Sequence, residues 1–340
     1  MNAYELEDIA HGYDGQTVLT IEDWTAEEGT VSGVVGPNGS GKSTLLSLLG
    51  FVTSPTQGKI RFKGRPAEPF SDIVRGKVAM LPQDAFLLKR SVYSNVAYGL
   101  KIKKQNSGIK TRVHEALDMV GLDPGTFARR PWFALSGGES RRVALAARLA
   151  LQPEVLLLDE PTASVDAASA QMIKAAALHA RQQWGTTLIV TSHDTEWLAD
   201  ISDNLLHLFR GCMLGNGRQT LIFGPWTGNG SGMLCRAFPQ GQVLEASGHP
   251  PDPQNAVAAI EARQMRLYLT ADEVAPYHRR LKGILLRLSY EQSTRLTSAA
   301  VLVGGMIFNV YLPEAGTDNR RFHPGTEVWV GYDPHSVAWF

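Results

Sequence analysis

The run Gly36-Pro37-Asn38-Gly39-Ser40-Gly41-Lys42-Ser43-Thr44 has the residue types and the spacing, G-x-x-x-x-G-K-S, of a loop that wraps phosphate. Its glycines let successive backbone N–H groups turn onto phosphate oxygens, and a helix starting at its end adds partial positive charge. In such a loop Lys42 reaches the β- and γ-phosphates and the Ser43 hydroxyl ligates Mg²⁺. A plain Gly/Ser turn would not require Lys-Ser at that offset. A second group follows from Asp159-Glu160, placed directly after the apolar run Val155-Leu156-Leu157-Leu158. The first carboxylate suits a metal and the second suits polarising a water. Gln83 follows Val78-Ala79-Met80-Leu81, and its neutral amide can contact Mg²⁺ or the attacking water without competing as a charge. His193 follows Thr187-Leu188-Ile189-Val190-Thr191, where an imidazole can bond a γ-phosphate and hold water in line. Tyr13 is an aromatic at a strand end, placed either to stack on a purine or to pack as an edge-strand tyrosine.

These groups need a particular scaffold. Thr30 to Val35 is β-branched enough for a buried strand, and Leu45-Leu46-Ser47-Leu48-Leu49 continues the loop as an apolar helix. The three apolar runs before Gln83, Asp159 and His193 read as parallel strands, whose carboxyl ends face the crevice where ligands bind. Residues 5 to 22 alternate around Asp14-Gly15 and read as a β-hairpin, and Gly58 to Gly64 as a short strand. Between about 85 and 150 the pattern turns helical: Val113, Ala116, Leu117 and Val120 recur at helix spacing, and a second helix follows Ser136.

The chain has 340 residues, room for about two domains, and 44% hydrophobic content sufficient for real cores. Lys plus Arg and Asp plus Glu both number 33, so no global field draws it to nucleic acid or an anionic membrane. No secretory signal is legible at the start. No apolar run reaches 18 residues, and the stretch from Ala299 to Leu312, interrupted by Gly304-Gly305, reads as two strands with a turn. The two cysteines, Cys212 and Cys235, have no metal spacing and read as small buried hydrophobes.

With Leu135-Ser136-Gly137-Gly138-Glu139, the sequence resembles the ATP-binding subunits of ABC transporters, whose LSGGQ signature it matches with Glu in place of Gln. The resemblance covers residues 1 to about 225 and implies roles position by position. Tyr13 stacks on adenine; Gly36, Pro37, Asn38, Gly39, Ser40, Gly41, Lys42, Ser43 and Thr44 bind the phosphates; Ser43, Gln83 and Asp159 hold Mg²⁺. Glu160, His193, Gln83 and Lys42 form the catalytic set, and Asp166 is the D-loop aspartate. Leu135 to Glu139 would bind the ATP of an opposed second chain, which makes a head-to-tail homodimer the working unit. Glu139 brings a carboxylate near the phosphate crevice, which puts its effect on ATP in question.

The expected fold is thus α/β: a P-loop ATPase domain at 1–225 with a helical subdomain at about 85–150, a linker at 226–254, and a small all-β domain at 255–340. That last segment, ending Gly325 to Val337, resembles the oligonucleotide-binding-like TOBE domains of importer ATPases. Ser91 to Ala97 resembles importers as well. The implied protein binds ATP and Mg²⁺, sits peripherally on the cytoplasmic face of the membrane, and works with a polytopic permease and indirectly with a solute-binding protein. Its solute is an oxyanion such as tungstate or molybdate; a sugar, polyamine, iron or sulfate stays open. A non-transport ATPase acting on nucleic acid or ribosomes is the other class, and the charge balance offers it no basic groove. Phe86, Leu87 and Leu88 are expected to receive a permease helix. Arg263, Arg266, Arg279, Arg280, Lys282 and Arg287 form either a regulatory anion site or a solvated basic face.

Overall fold

β1 (Asn2–Tyr13) and β2 (Gln16–Glu27) form the antiparallel hairpin that the alternation predicts, with Leu6, Ile9, Leu19 and Ile21 all buried. Its turn, Asp14-Gly15, has φ of 50° and 81°, the left-handed pair that a two-residue hairpin turn needs. The structure is a computed structural model and describes residues 1–84, 86–104, 107–192, 197–198, 201–214, 219–230, 232–254, 256–291, 296–312 and 321–340. Two compact units divide the chain, Met1–Gly217 and Arg218–Phe340.

In the first unit the hairpin is followed by β3 (Val31–Val35), α1 (Lys42–Leu49), β4 (Gln57–Phe62), β5 (Arg65–Pro66) and β6 (Val78–Leu81). A helical segment then holds α2 (Val92–Ile102), α3 (Ile109–Met119), α4 (Pro124–Phe127) and α5 (Gly137–Leu149). The chain returns to the sheet through β7 (Val155–Asp159), α6 (Ala167–Trp184), β8 (Thr187–Thr191), β9 (Asn204–Phe209) and β10 (Cys212–Leu214). Among the described residues the sheet order is β5-β4-β1-β2-β10-β9-β3-β8-β7-β6, and β9, β3, β8, β7 and β6 run parallel to one another.

The unbroken apolar runs of the central strands serve two cores, because successive side chains point to opposite faces. On β7, Leu156 and Leu158 join the core made with α2, α3, α5 and α6. Val155 and Leu157 join the core made with α1 and the hairpin. Asp159 shares the parity of Val155 and Leu157 and therefore emerges on the face that α1 covers. Thr191 shares the parity of Ile189 and lies beside Asp159 in the ladder.

Helix starts are written into the chain by polar caps. Ser91 accepts from Ser94 N–H at 3.2 Å, Asp123 from Thr126 N–H at 2.7 Å, and Asp166 from Ser169 N–H at 2.8 Å. Ser136 and Glu139 cap α5 reciprocally, Ser136 Oγ accepting from Glu139 N–H at 3.2 Å and Glu139 Oε2 from Ser136 N–H at 2.8 Å.

The second unit is antiparallel throughout its described strands: β11 (Gln219–Phe223), β12 (Thr227–Gly228), β13 (Met233–Ala237), β14 (Val243–Ser247), β15 (Val257–Glu261), β16 (Met265–Tyr268), β17 (Arg279–Glu291), β18 (Leu296–Val303), β19 (Met306–Tyr311), β20 (Glu327–Tyr332) and β21 (Ala338–Trp339). They pair as three sheets, β11-β15-β21, β12-β13-β14 and β16-β20-β17-β18-β19. The expected linker at 226–254 is corrected here. It supplies β12 to β14 and lends Trp226, Phe238, Leu244 and Ala246 to the core of the second unit. Trp226 is 1% exposed and its indole N–H donates to Ala256 O at 3.1 Å, which a linker would not do. The unit boundary consequently falls near 217 instead of 225. The cysteines also differ from expectation: Cys212 is exposed on the short β10 and Cys235 is half-buried on β13.

Candidate active site

The phosphate loop links β3 to α1, and its backbone is fitted closely to its surroundings. A Cβ on Gly36 would lie 2.1 Å from Leu208 O, and Gly41 closes the loop at φ 103°, so both positions demand glycine. Lys42 is 7% exposed, and its Nζ donates to Gly36 O at 2.8 Å and Pro37 O at 3.2 Å. Burial pulls its ammonium below the ordinary lysine value, while the charges of Glu160 and Asp159 pull it back up. The ammonium thus curls over its own loop, within the field of the two carboxylates at the end of β7, one strand beyond β8 in the sheet. Ser40 is buried, and its Oγ has no partner among the described residues, a donor left for an incoming acceptor.

A cleft of about 240 Å³ is lined by Val18, Asn38 to Thr44, Gln83, Asp159 and Glu160. Adjacency of β3, β8, β7 and β6 in the sheet brings these groups together, since each strand delivers its residue at the same carboxyl edge. Asp159 and Glu160 are 3% and 5% exposed. The Thr191 hydroxyl donates to Asp159 Oδ1 at 2.7 Å and accepts from Glu160 N–H at 3.0 Å. Glu160 N–H also reaches Thr191 O at 3.2 Å. Glu160 has φ 45°, a left-handed backbone that costs a β-carbon-bearing residue about 1–3 kcal/mol and persists only where neighbours over-determine it.

Tyr13 closes β1, is 52% exposed, and meets His11 edge-on at 5.0 Å between ring centroids. It does not line the cleft. Ser136, Gly137 and Gly138 lie at the start of α5 and do not line it either. The Glu139 carboxylate is turned back onto the Ser136 N–H, with Arg130 3.9 Å away, so it is held within the cap. Asp166 caps α6; its carboxyl lies below the usual range because it accepts the Ser169 N–H and hydroxyl. His193 lies outside the described residues. Residue-type reasoning missed Thr191 and Arg141. Thr191 is the last residue of an apolar strand opposite a carboxylate, a signal that sheet pairing alone discloses.

Donors fit the groups expected here. The Ser43 hydroxyl, the Gln83 amide and Asp159 share one cleft, a hard oxygen set with a single carboxylate in the metal role, as Mg²⁺ completed by phosphate oxygens takes. No cluster of three or more His, Cys, Asp or Glu with metal-holding geometry occurs among the described residues.

Residues 19–163 match the family described as ABC transporter. The chain is 34% identical over 207 residues to the tungstate uptake system ATP-binding protein TupC of Peptoclostridium acidaminophilum, covering 61% of this chain and 94% of that one. It is 39% identical over 222 residues to the nickel import ATP-binding protein NikO of Rhodobacter capsulatus, covering 62% and 86%. Its fold is similar to the dimeric post-hydrolysis state of the ATP-binding cassette MJ0796 bound to ADP and Pi, with TM-score 0.58 and 26% identity over 62% of this chain and 97% of that one.

Proposed function

The chain belongs to the family of ABC transporter ATP-binding proteins, ATPases that energise import, and on that premise we propose that Glu160 is its catalytic base and that two copies enclose two ATP molecules head to tail. The observation that carries this is the buried Asp159-Glu160 pair, fixed by Thr191 in the wall of the phosphate-loop cleft. Lys42 and the N–H groups of Gly39 to Thr44 bind the phosphates. Ser43, Gln83 and Asp159 hold Mg²⁺, which neutralises charge on the β- and γ-phosphates when bound. Glu160 accepts the proton of the attacking water, His193 supports that water, and Tyr13 stacks on the adenine ring.

Ser136 and the amides of Gly137 and Gly138 form a second anion site at the start of α5. They do not line the cleft of their own chain, which supports their use by a partner's ATP. Ser136 Oγ spends an acceptor site on its cap and keeps its O–H to donate to phosphate. Leu135 and Asp166 belong to the same contact. Glu160→Gln should keep ATP affinity and favour a closed dimer while hydrolysis falls by orders of magnitude, whereas Lys42→Ala should lose ATP affinity itself. Near-normal turnover by Glu160→Gln would remove Glu160 from the role.

A permease docks at the segment after Gln83. Phe86 is 86% exposed and Leu88 42%, while Leu87 packs against the helical core and does not belong to the docking face. Asn95 steadies that segment: its side chain accepts from Leu88 N–H at 2.8 Å and donates to Leu88 O at 3.1 Å. No helix among the described residues is long and apolar enough to cross a membrane, so on this reading the chain attaches peripherally through the permease.

The solute is an oxyanion of the tungstate or molybdate class, delivered by a solute-binding protein. The similarity to TupC supports this, and the similarity to NikO makes nickel the competing cargo. Reconstitution with the permease decides it: tungstate-dependent ATPase stimulation is expected, and stimulation by nickel alone would overturn the assignment. An anion on the second unit is less well supported, because three of the six cations named for it, Arg279, Arg280 and Lys282, already have partners. Arg279 pairs with Glu245, Lys282 Nζ lies 3.0 Å from Glu327, and Arg280 donates to Ala271 O at 2.8 Å. Those contacts favour a solvated, paired basic face.

A further inference from the structure

Arg141 lies one turn into α5, the helix whose first residues are the proposed second anion site. Its guanidinium donates to four backbone carbonyls on two other segments. Nε reaches Pro161 O at 2.8 Å, Nη2 reaches Asp159 O at 3.2 Å and Glu160 O at 2.5 Å, and Nη1 reaches Gln83 O. Those carbonyls belong to the strand ends that carry Gln83, Asp159 and Glu160. The left-handed peptide at Glu160 is thus gripped from both sides, by Thr191 at its N–H and by Arg141 at its C=O. Two turns further along the same helix face, Arg148 donates to Met80 O at 3.0 Å on β6.

The start of α5 has a second attachment. A Cβ on Gly138 would lie 2.5 Å from Ser169 Oγ and 2.8 Å from Asp166 Oδ2, so the helix start rests directly on the cap of α6. Any displacement of Ser136, Gly137 and Gly138 therefore carries Arg141 with it, and with Arg141 the carbonyls that orient the cleft.

We propose that Arg141 is a positioning residue for hydrolysis, which makes the placement of Glu160 and Gln83 depend on whether the start of α5 has engaged a phosphate. This rests on the reading of Glu160 as the base and of Ser136 to Gly138 as the site for the partner's ATP. Through Arg141, the chain's own hydrolytic centre senses the ATP held by the other chain. A planar guanidinium with five donors in a fixed fork suits the task, and an ammonium cannot span the same four acceptors.

The test is steady-state ATP hydrolysis and binding of a fluorescent ATP analogue by the full chain carrying Arg141→Ala or Arg141→Lys, with Arg148→Ala as a control. Both Arg141 variants should lose roughly 10- to 100-fold in kcat, as a small misplacement of reacting groups costs. Nucleotide affinity should change by no more than about twofold, and the dependence of rate on ATP should become non-cooperative. Arg148→Ala should lower the melting temperature while kcat stays close to that of the parent. Normal kcat in a folded Arg141→Ala protein overturns the proposal, as does full rescue by lysine or an equal loss in Arg148→Ala. Should Arg141→Ala not fold, Arg141→Lys decides on the same readouts. Failure of the underlying reading is separate: Glu160→Gln would then hydrolyse ATP normally whatever stands at 141.

Discussion

Thr191 Oγ1 donates a 2.7 Å hydrogen bond to Asp159 Oδ1 across two adjacent parallel strands, and the same oxygen accepts the N–H of Glu160. One hydroxyl thus orients both carboxylate-bearing residues, and its single proton is committed to Asp159. Thr191→Val keeps the shape and removes both bonds. It should cost about 1–3 kcal/mol of stability, the penalty for an unsatisfied buried polar group, and lower kcat. Thr191→Ser should retain both properties. Urea unfolding and steady-state hydrolysis measure these, and a valine variant as stable and active as the parent would remove the bridge from the mechanism.

The first unit has its own two cores and contains every described residue that lines the cleft. A fragment ending at residue 217 should therefore fold, bind ATP and hydrolyse it. Circular dichroism establishes folding and nucleotide titration establishes binding. A folded fragment that does not bind ATP would show that the second unit completes the site.

Phe86 and Leu88 expose apolar surface just past Gln83, and the backbone N–H of the part-exposed Trp132 donates to Arg90 O, two residues beyond Leu88, at 3.1 Å. Exposed apolar patches of this kind mark interaction sites. Replacing both with glutamate should leave the ATPase rate of the isolated chain unchanged and abolish its co-purification with the permease. Retention of the permease complex by the double variant would place the docking surface elsewhere.

His207 sits on β9 beside Val35, just before the phosphate loop, and burial lowers its pKa from 6.5 to about 4. Its folded pKa lies below the unfolded value, so between those two values the unfolded chain binds more protons and stability falls as pH falls. Its contribution is complete above pH 6.5 and is lost progressively down to pH 4. Between pH 7 and pH 5 the loss amounts to at most about 2 kcal/mol. Urea midpoints at the two values should differ accordingly, and His207→Gln should shrink the difference. An unchanged difference would assign the acid sensitivity to other groups.

The phosphate loop, the strands before Gln83 and Asp159 and the hairpin turn were legible because each depends on local chemistry. Glycines at fixed offsets, apolar runs and an Asp-Gly pair carry their meaning within a few residues. Arg141 was not legible, since an arginine early in a polar helix ordinarily faces solvent, and its four acceptors come from segments 18 to 58 positions away in the chain. Residues 226–254 misled for a related reason. Their Gly and Pro content is that of a hinge, and strands as short as Thr227–Gly228 leave no alternation to detect. The ends of Trp226 and Phe238 that matter are the ones facing a core assembled from later strands.

The order of strands in the large sheet also governs when the site comes into being. β3, which leads into the phosphate loop, is flanked by β8 and β9, and Val31 pairs with Leu188. A chain emerging from the ribosome N-terminus first carries its glycine loop through most of this unit's synthesis on a strand with no neighbour on either side. Both carboxylates are likewise out before Thr191 exists to orient them. Nucleotide can act as a folding ligand only in the last stage of that unit's synthesis, and until then an apolar β3 with two open edges is the nascent chain's exposure to mispairing.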